Sequence, residues 1–243
     1  MTSASIPLPK LELAIRQICN SLNDRYGCRA IWENMSEEEL WRDLIACILG
    51  SRVRFEAAHS AMERLEKAGL VSRALHIAEY GEYEQDVLCA LSGNNEARGS
   101  LRSRKHYPFS KMRARQIRLA AEALYSNGGG IRCLLKNTCD VRETRRRLAM
   151  NVAGLGPKQS SLFLRNIGYA ADIAVLDVHI ITYMEWVGLT PSSIRAVRTI
   201  RQYETLEDVF IRHSYSLGFP PNLFDLAVWI VVRVVKKENM QCR

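Results

Sequence analysis

One short segment of the sequence combines residue types that can bind a phosphate and attack a sugar. Residues 154–158 are Gly-Leu-Gly-Pro-Lys. Glycines at 154 and 156 permit the positive φ of a tight turn and leave the backbone N–H groups uncovered by a Cβ. Such groups, with the positive end of the helix that follows, bind a DNA phosphate without reading base sequence. Pro157 suits the first position of that helix, which places Lys158 in the first turn.

Lys158 is the candidate nucleophile. The helix dipole and any desolvation both disfavour an ammonium group at the start of a helix, so we expect the pKa of Lys158 to be lowered. A neutral amine is the nucleophile needed to attack C1′ of a sugar and form a Schiff base. The segment therefore predicts covalent chemistry on a nucleotide sugar.

Asp177 is the second candidate for chemistry. It ends the apolar run Ala174–Leu176 and stands where the next helix is predicted to begin. An aspartate there can simply cap the helix. A carboxylate can also stabilise the positive charge that builds on a sugar as its glycosidic bond breaks. The pairing with Lys158 favours catalysis, and the cap-only role stays open.

The elements that must position these residues are predicted to be helices, because apolar residues recur three and four apart along most of the chain. A capping box, Ser36-x-x-Glu39, opens a helix that ends at about Gly50. The stretch from Tyr80 to Arg104 holds several glycines and asparagines and predicts a loop. Further helices are predicted at 55–69, 112–124 and 141–150, so the fold class is all-α.

Positive charge is concentrated in one part of the chain. The net charge is +8, and residues 101–147 hold 13 Lys or Arg against 3 Asp or Glu. Such a segment is typical of proteins that bind a polyanion, because each neutralised phosphate releases counterions. The alternative is a solvated helix face. The same two interpretations apply to Arg145, Arg146 and Arg147.

Composition narrows the class of protein. A chain of 243 residues can bury a core without a disulfide or metal scaffold. Its 7 cysteines lack the spacing of a zinc ribbon or an iron–sulfur cluster, so we expect no metal and no cofactor. Neither a signal peptide nor a membrane span is predicted. We therefore expect a cytoplasmic protein, associated with the nucleoid if the organism is prokaryotic.

Several motifs together resemble the helix-hairpin-helix DNA glycosylase superfamily and, within it, the archaeal-type 8-oxoguanine DNA glycosylase/AP lyases. The similarity spans roughly residues 36–230 and is most specific between Leu148 and Ile180. The matching segments are Gly154–Lys158, Ser161–Tyr169 and Leu176–His179, with further matches at Leu44–Leu49, Phe109–Ala114 and Phe224–Trp229.

The resemblance implies an all-α, two-lobed HhH-GPD glycosylase fold with DNA in a cleft between the lobes. Residues 1–243 then form one glycosylase unit. Lobe A comprises about residues 36–168, including the hairpin at 148–162. Lobe B comprises about residues 1–35 and 169–243.

The resemblance also implies a bifunctional enzyme of base excision repair, a DNA N-glycosylase with AP lyase activity. By position, Lys158 matches the family's nucleophile and Asp177 its catalytic acid. The Schiff base on Lys158 permits β-elimination of the 3′ phosphate. The partner is double-stranded DNA whose damaged base, 8-oxoguanine, is rotated out of the stack. We expect the enzyme to act as a monomer.

Other candidate residues carry an alternative beside the functional interpretation. Arg52 matches the position of a residue that fills the gap left by the extruded base, or it is an exposed loop arginine. Trp229, Phe224 and Asp225 line or order the base pocket, or the two aromatic residues pack in the core. The candidates for DNA binding are Gly154, Leu155, Gly156, Ser51, Arg52, Arg165 and His179.

The chain departs from the family near its C-terminal end. Family members tend to end at a lysine whose terminal carboxylate reaches the base pocket, whereas residues 238–243 follow Lys236 and Lys237 here. The target base therefore has an alternative, another modified base such as one carried by foreign DNA. A second alternative is a non-catalytic DNA-binding module in which Lys158 is only a cation. A protein-binding scaffold is a third.

Overall fold

The computed structural model describes residues 7–26, 32–77, 79–93, 107–137, 140–191, 197 and 199–241, with the backbone alone for 23–26 and 238–241. Within these ranges the chain forms helices and no β-strand. The α-helices are α1 Leu8–Tyr26, α2 Glu37–Leu49, α3 Phe55–Lys67, α4 Leu70–Arg73, α5 Tyr80–Ser92, α6 Ser110–Tyr125, α7 Ile131–Lys136, α8 Val141–Asn151, α9 Pro157–Asn166, α10 Val178–Trp186, α11 Ile200–Ser216 and α12 Pro221–Gln241, with 3-10 turns at Trp32–Asn34 and Ala74–His76.

The chain divides into two compact units. Unit 1 comprises Met1–Ile31 and Leu164–Arg243, and unit 2 comprises Trp32–Phe163. The second boundary falls inside α9, so this helix is continuous from one unit into the other. The lobe boundaries predicted from sequence were about residues 36 and 168.

Unit 2 is built on α2, which packs against α3, α6 and α7. The predicted capping box begins this helix: Ser36 Oγ accepts from the Glu39 N–H at 3.2 Å, and Glu39 Oε2 accepts from the Ser36 N–H at 2.7 Å. The predicted inner face is confirmed as fully buried, and it consists of Leu40, Trp41, Leu44, Ile45 and Ile48.

The predicted loop at 80–104 is wrong for its first part, because residues 80–92 form α5. This helix buries Tyr83, Val87 and Leu91, which lie four residues apart on one face and pack α5 against α6. The helix ends at Gly93, whose φ of 75° is the left-handed conformation that glycine tolerates. Glycines and asparagines further along the chain therefore do not mark where the helix breaks. Residues 94–104 lie outside the described ranges.

Unit 1 packs α1 and α10 against α12, with α11 alongside. Its centre is aromatic: the Phe224 ring lies 5.8 Å from the Tyr183 ring and 5.4 Å from the Phe210 ring, centroid to centroid. Among the described residues no single helix is long and apolar enough to cross a membrane. The pair Ile200–Ser216 and Pro221–Lys237 reaches that length and hydropathy only together, across a bend of 93°.

The three arginines of α8 differ from one another. Arg145 is 0% exposed and donates from Nη1 to Ser161 Oγ at 3.3 Å. Arg147 pairs with Glu143 at 2.9 Å, and Arg146 is exposed. Both interpretations offered for Arg145, a phosphate contact or a solvated side chain, are therefore wrong, because helical periodicity turns this residue toward the interior of unit 2.

We expect Arg145→Ala to lower the free energy of unfolding by about 3 kcal/mol, because it empties a buried site and removes a buried charge from its partners. The matched variant Arg146→Ala should stay within about 0.5 kcal/mol of wild type. Urea unfolding followed by circular dichroism measures both. Equal losses in the two variants would contradict the interior role of Arg145.

Candidate active site

The predicted hairpin at 148–162 is confirmed as α8, a turn over residues 152–156, and α9. The Leu155 N–H donates to Val152 O at 3.2 Å and closes the turn. The Ser160 N–H donates to Gly156 O at 2.9 Å and opens the hydrogen-bond ladder of α9, which begins at Pro157 as predicted.

Gly154 is required by its surroundings as well as by its φ of 91°. A Cβ at this position would lie 3.1 Å from Ile48 Cγ2 and 3.3 Å from Gln116 Cβ, whereas a Cβ at Gly156 would meet nothing within 4 Å. Gln159, in the first turn of α9, donates to Cys47 O at 2.5 Å. The hairpin is therefore seated on the end of α2 and on α6.

Lys158 is the second residue of α9 and is half-buried. Its neighbours Gln159, Ser160 and Ser161 are buried beneath the helix. The buried neighbours fix the orientation of the first turn of α9, so the packing of unit 2 sets the direction in which the Lys158 side chain leaves the helix. The role of Lys158 as nucleophile stays a prediction.

Asp177 is confirmed as the N-cap of α10. Its Oδ1 accepts from the His179 N–H at 2.7 Å and from the Ile180 N–H at 3.1 Å. No described residue donates a hydrogen bond to Oδ2. The cap therefore uses one oxygen of the carboxylate and not the other, so capping does not exclude the predicted catalytic role.

The backbone that leads to Asp177 is irregular over residues 173–177. Three successive N–H groups in this segment donate to side chains of α11 and α12 that are buried in unit 1. The bonds run from Ala174 to Glu207 Oε1 at 3.1 Å, from Val175 to Asp225 Oδ2 at 2.6 Å, and from Leu176 to Tyr203 Oη at 3.0 Å.

Sequence reasoning missed Tyr203 and Glu207. Both lie on the buried face of α11, which also carries Leu206 and Phe210. Glu207 is 1% exposed, so an acidic residue occupies a place in an apolar helical stripe. An acidic residue within an apolar stripe could have indicated this hydrogen-bonding role, because a buried carboxylate needs hydrogen-bond donors nearby.

Asp225 and Arg165 are partners. Asp225 is 0% exposed, and its Oδ1 accepts from Arg165 Nη1 at 2.5 Å. Burial raises the pKa of Asp225 to about 6, although Arg165 and the Val175 N–H both act to lower it. The structure thus favours an ordering role for Asp225. DNA binding by Arg165 stays a prediction, with its guanidinium already engaged by Asp225.

The two aromatic candidates of α12 have different surroundings. Phe224 is fully buried, so the structure favours the core-packing alternative over the base pocket. Trp229 is half-buried; its ring lies 6.2 Å from the His179 ring, edge to face, and 4.9 Å from the Arg233 guanidinium. Trp229 therefore keeps its candidacy for stacking on a base.

Lys236 lies inside unit 1 near Asp177. Its Nζ donates to Thr182 Oγ1 at 2.7 Å. Burial lowers the pKa of Lys236, and the charges of Asp177 and Glu185 act in the opposite direction. Because α12 continues through Gln241, Lys236 is an internal residue of a helix and offers its ammonium group, not a terminal carboxylate.

Ser51 and Arg52 form the turn after α2. Arg52 is exposed and has a φ of 62°, which is uncommon for a residue other than glycine. Arg113 Nη2 donates to Ser51 O at 2.7 Å, and Tyr107 Oη donates to Leu49 O at 2.6 Å. Strain of this kind clusters at functional sites, which supports the predicted role of Arg52 without testing it.

Phe109 has the same backbone feature and was missed as a candidate. It precedes α6, has a φ of 66° and is 51% exposed. In the sequence it appeared only as part of a matching segment, because nothing in the local pattern signals a positive φ for a phenylalanine. An exposed aromatic side chain on a strained backbone is a second unusual feature of unit 2.

Several of the basic side chains in residues 101–147 are buried or paired with carboxylates within the protein. Arg113 and Arg145 are buried, and Arg118 pairs with both Glu84 and Glu122. The exposed basic side chains of the described part of this segment are Lys111, Arg115, Lys136 and Arg146. The cationic surface is therefore smaller than the residue count indicated.

Comparison with known proteins bears on these features. The family model for 8-oxoguanine DNA glycosylases matches residues 83–219. An 8-oxoguanine DNA glycosylase/AP lyase of Sulfurisphaera tokodaii is 30% identical over 200 residues, which is 81% of this chain and 83% of that protein.

Solved structures show the fold. The 8-oxoguanine DNA glycosylase of Methanocaldococcus jannaschii has a TM-score of 0.66 at 22% identity and covers 91% of both chains. The glycosylase/lyase of the same organism in complex with a 15mer DNA containing 8-oxoguanine has a TM-score of 0.62 at 20% identity, covering 91% of this chain and 88% of that one. The predicted all-α helix-hairpin-helix glycosylase fold is confirmed.

We expect Gly154→Ala to lower the free energy of unfolding by about 2 kcal/mol, since a side chain at positive φ costs about 1 kcal/mol and the Cβ crowds Ile48 and Gln116. The matched variant Gly156→Ala should unfold within about 0.5 kcal/mol of wild type. Urea unfolding of both proteins measures the difference. Equal stability of the two variants would contradict the contacts described for the hairpin.

The raised pKa of Asp225 predicts a pH dependence of stability. A carboxyl group with an ordinary pKa of 3.8 and a folded pKa of about 6 contributes stability that is fully present below about pH 4 and is lost as the pH rises through 6. Asparagine does not titrate. Relative to Asp225→Asn, the free energy of unfolding of wild type should therefore fall by up to about 3 kcal/mol between about pH 4 and about pH 7. Urea unfolding at both pH values measures this, and a difference that does not change with pH would contradict it.

Proposed function

The chain belongs to the 8-oxoguanine DNA glycosylase family, and on this premise we propose that it excises 8-oxoguanine from duplex DNA and then cleaves the strand at the abasic site. The observation that carries the proposal is the placement of Lys158 in the first turn of α9, directly after the Gly154–Gly156 hairpin. Strand cleavage through a Schiff base needs an amine at the sugar, and this position supplies one beside a phosphate-binding turn.

DNA binding begins at the hairpin. Gly156 faces open space, and the N-terminal N–H groups of α9 carry the positive end of the helix dipole. A phosphate bound there is held without reading base sequence, as suits an enzyme that must meet damage in any sequence context. The exposed basic side chains of Lys111, Arg115, Lys136 and Arg146 add affinity that falls as the salt concentration rises.

The damaged nucleotide is extruded from the stack, because C1′ and the base are both inaccessible inside a duplex. The half-buried Trp229 offers a π face on which the extruded base stacks. The Arg233 guanidinium at 4.9 Å from the Trp229 ring supports the ring in place. The exposed Arg52 fills the gap left in the duplex.

Base excision is a substitution at C1′. The lone pair of Lys158 Nζ attacks C1′ as the C1′–N9 bond breaks, and the electron pair of that bond leaves with the base, which takes up a proton. Positive charge develops on the sugar during this step. The carboxylate of Asp177, held by its cap through Oδ1, stabilises that charge with Oδ2.

Strand cleavage follows from the covalent intermediate. The C1′–O4′ bond breaks and the O4′ takes up the proton that the amine gives up, which leaves a Schiff base between Nζ and C1′. Loss of a proton from C2′ then expels the 3′ phosphate with the electron pair of the C3′–O3′ bond. Water hydrolyses the Schiff base and releases Lys158 for another cycle.

Borohydride trapping tests the proposal on three duplexes that carry 8-oxoguanine, an abasic site or undamaged guanine. We expect wild type to form a covalent adduct on the first two only. In Lys158→Gln the adduct should fall by roughly two orders of magnitude or more, because the amide cannot form a Schiff base. Lys67→Gln, which removes an exposed lysine of α3, serves as the matched control and should trap like wild type.

Two outcomes would contradict the proposal in different ways. Trapping on the abasic duplex alone would retain Lys158 as nucleophile and reject 8-oxoguanine as the target base. Salt-dependent DNA binding without any trapping would reject the enzyme and favour the DNA-binding module.

A further inference from the structure

We propose that Asp225 is a positioning residue of the reaction: its carboxylate joins α9, the helix of Lys158, to the backbone segment that ends at Asp177, and thereby fixes the Asp177 carboxylate for base excision. The inference rests on the proposed function and adds to it a residue that need not touch the DNA.

The two oxygens of Asp225 serve two different elements. Oδ1 accepts from Arg165 Nη1 at 2.5 Å, and Oδ2 accepts from the Val175 N–H at 2.6 Å. Arg165 lies two helical turns after Lys158 on α9. Val175 lies two residues before Asp177. One fully buried carboxylate thus binds both the helix of the nucleophile and the approach to the catalytic acid.

The approach to Asp177 needs such a bond because it is irregular. Residues 173–177 belong to neither a helix nor a strand, and the N–H groups of residues 174–176 find their partners on other elements. Tyr203 Oη accepts from the Leu176 N–H at 3.0 Å and donates to Ala174 O at 2.8 Å. Side chains of α11 and α12 therefore hold the backbone that leads to Asp177, while the start of α10 holds its carboxylate as the cap.

The cost of burying Asp225 argues against a role in stability alone. A buried charge is unfavourable unless its pairing repays the lost hydration, and apolar replacements of buried ion pairs are often at least as stable. Burial raises the pKa of Asp225 to about 6 in spite of Arg165, so pairing does not fully compensate. The Asp225 carboxylate lies on the buried side of α12, which also carries the fully buried Phe224 and Val228. What the carboxylate adds over an apolar side chain is its two directed hydrogen bonds.

The proposal predicts which step depends on Asp225. Asp177 stabilises positive charge while the glycosidic bond breaks, and this bond is already absent from an abasic site. Loss of the Asp225 contacts should therefore slow base excision more than Schiff-base formation on an abasic duplex. A general loss of folded protein would lower both reactions by the same factor.

The experiment compares Asp225→Asn with wild type at about pH 7.5. Asparagine has nearly the same size and can still accept from the Val175 N–H, but its neutral amide does not pair with the Arg165 charge. We expect the single-turnover rate of 8-oxoguanine excision to fall at least about tenfold, since small displacements of a catalytic group have effects of this size. Borohydride trapping on an abasic duplex should fall less than about threefold.

The matched control is Asp172→Asn. Asp172 is an exposed aspartate of the same unit whose carboxylate accepts from the Tyr215 hydroxyl. We expect this variant to excise and trap at wild-type rates. Thermal unfolding of all three proteins identifies any variant whose activity falls with its folded fraction.

A second variant keeps the proposal testable if Asp225→Asn does not fold. Tyr203→Phe removes only the hydroxyl that binds Ala174 O and the Leu176 N–H, and it should show the same excess loss of excision over trapping. Equal losses in both reactions, or wild-type excision by Asp225→Asn, would overturn the proposal. Failure of wild type to excise or trap would instead reject the proposed function, and the inference with it.

Discussion

The buried hydrogen bonds that α9 makes within each unit are the constraint on which the candidate site depends. At its start, Gln159 binds the carbonyl of Cys47 in unit 2, and the Gly154 turn presses against Ile48. Toward its end, Arg165 binds Asp225 in unit 1. Within unit 2, the first turn of α9 cannot rotate without breaking the buried hydrogen bond from Gln159 to Cys47, so the backbone of Lys158 is presented in one orientation.

In both units, buried polar side chains bind the backbone next to a candidate site residue. In unit 2, Arg113 and Tyr107 bind the carbonyls of the turn before Arg52. In unit 1, Tyr203 and two buried carboxylates bind the segment before Asp177. Regular helices cannot supply these geometries, because their N–H and carbonyl groups are committed along the axis. Each unit thus places unfavourable buried polarity where precise positioning is needed.

Local chemistry explains what the sequence could and could not predict. The hairpin glycine, the helix start at Pro157 and the cap at Asp177 follow from residues within a few positions of each other, so they were predictable. The burial of Arg145 and the partnership of Arg165 with Asp225 depend on residues far apart in the chain. Helix α5 was not predicted, because the glycines and asparagines that follow Gly93 indicated a loop, although the apolar face of a helix precedes them. Roles at the DNA, above all those of Arg52 and Trp229, depend on a partner that neither sequence nor fold contains.

The composition of unit 1 also determines the order in which the protein can fold during synthesis. Unit 2 is one continuous stretch and can close as soon as Phe163 has been made. The apolar face of α1, with Leu11 and Ile15, packs on α12, which begins only at Pro221. This face therefore stays without its partner until α12 has been synthesised, so the enclosure of the segment that carries Asp177 follows the closure of unit 2.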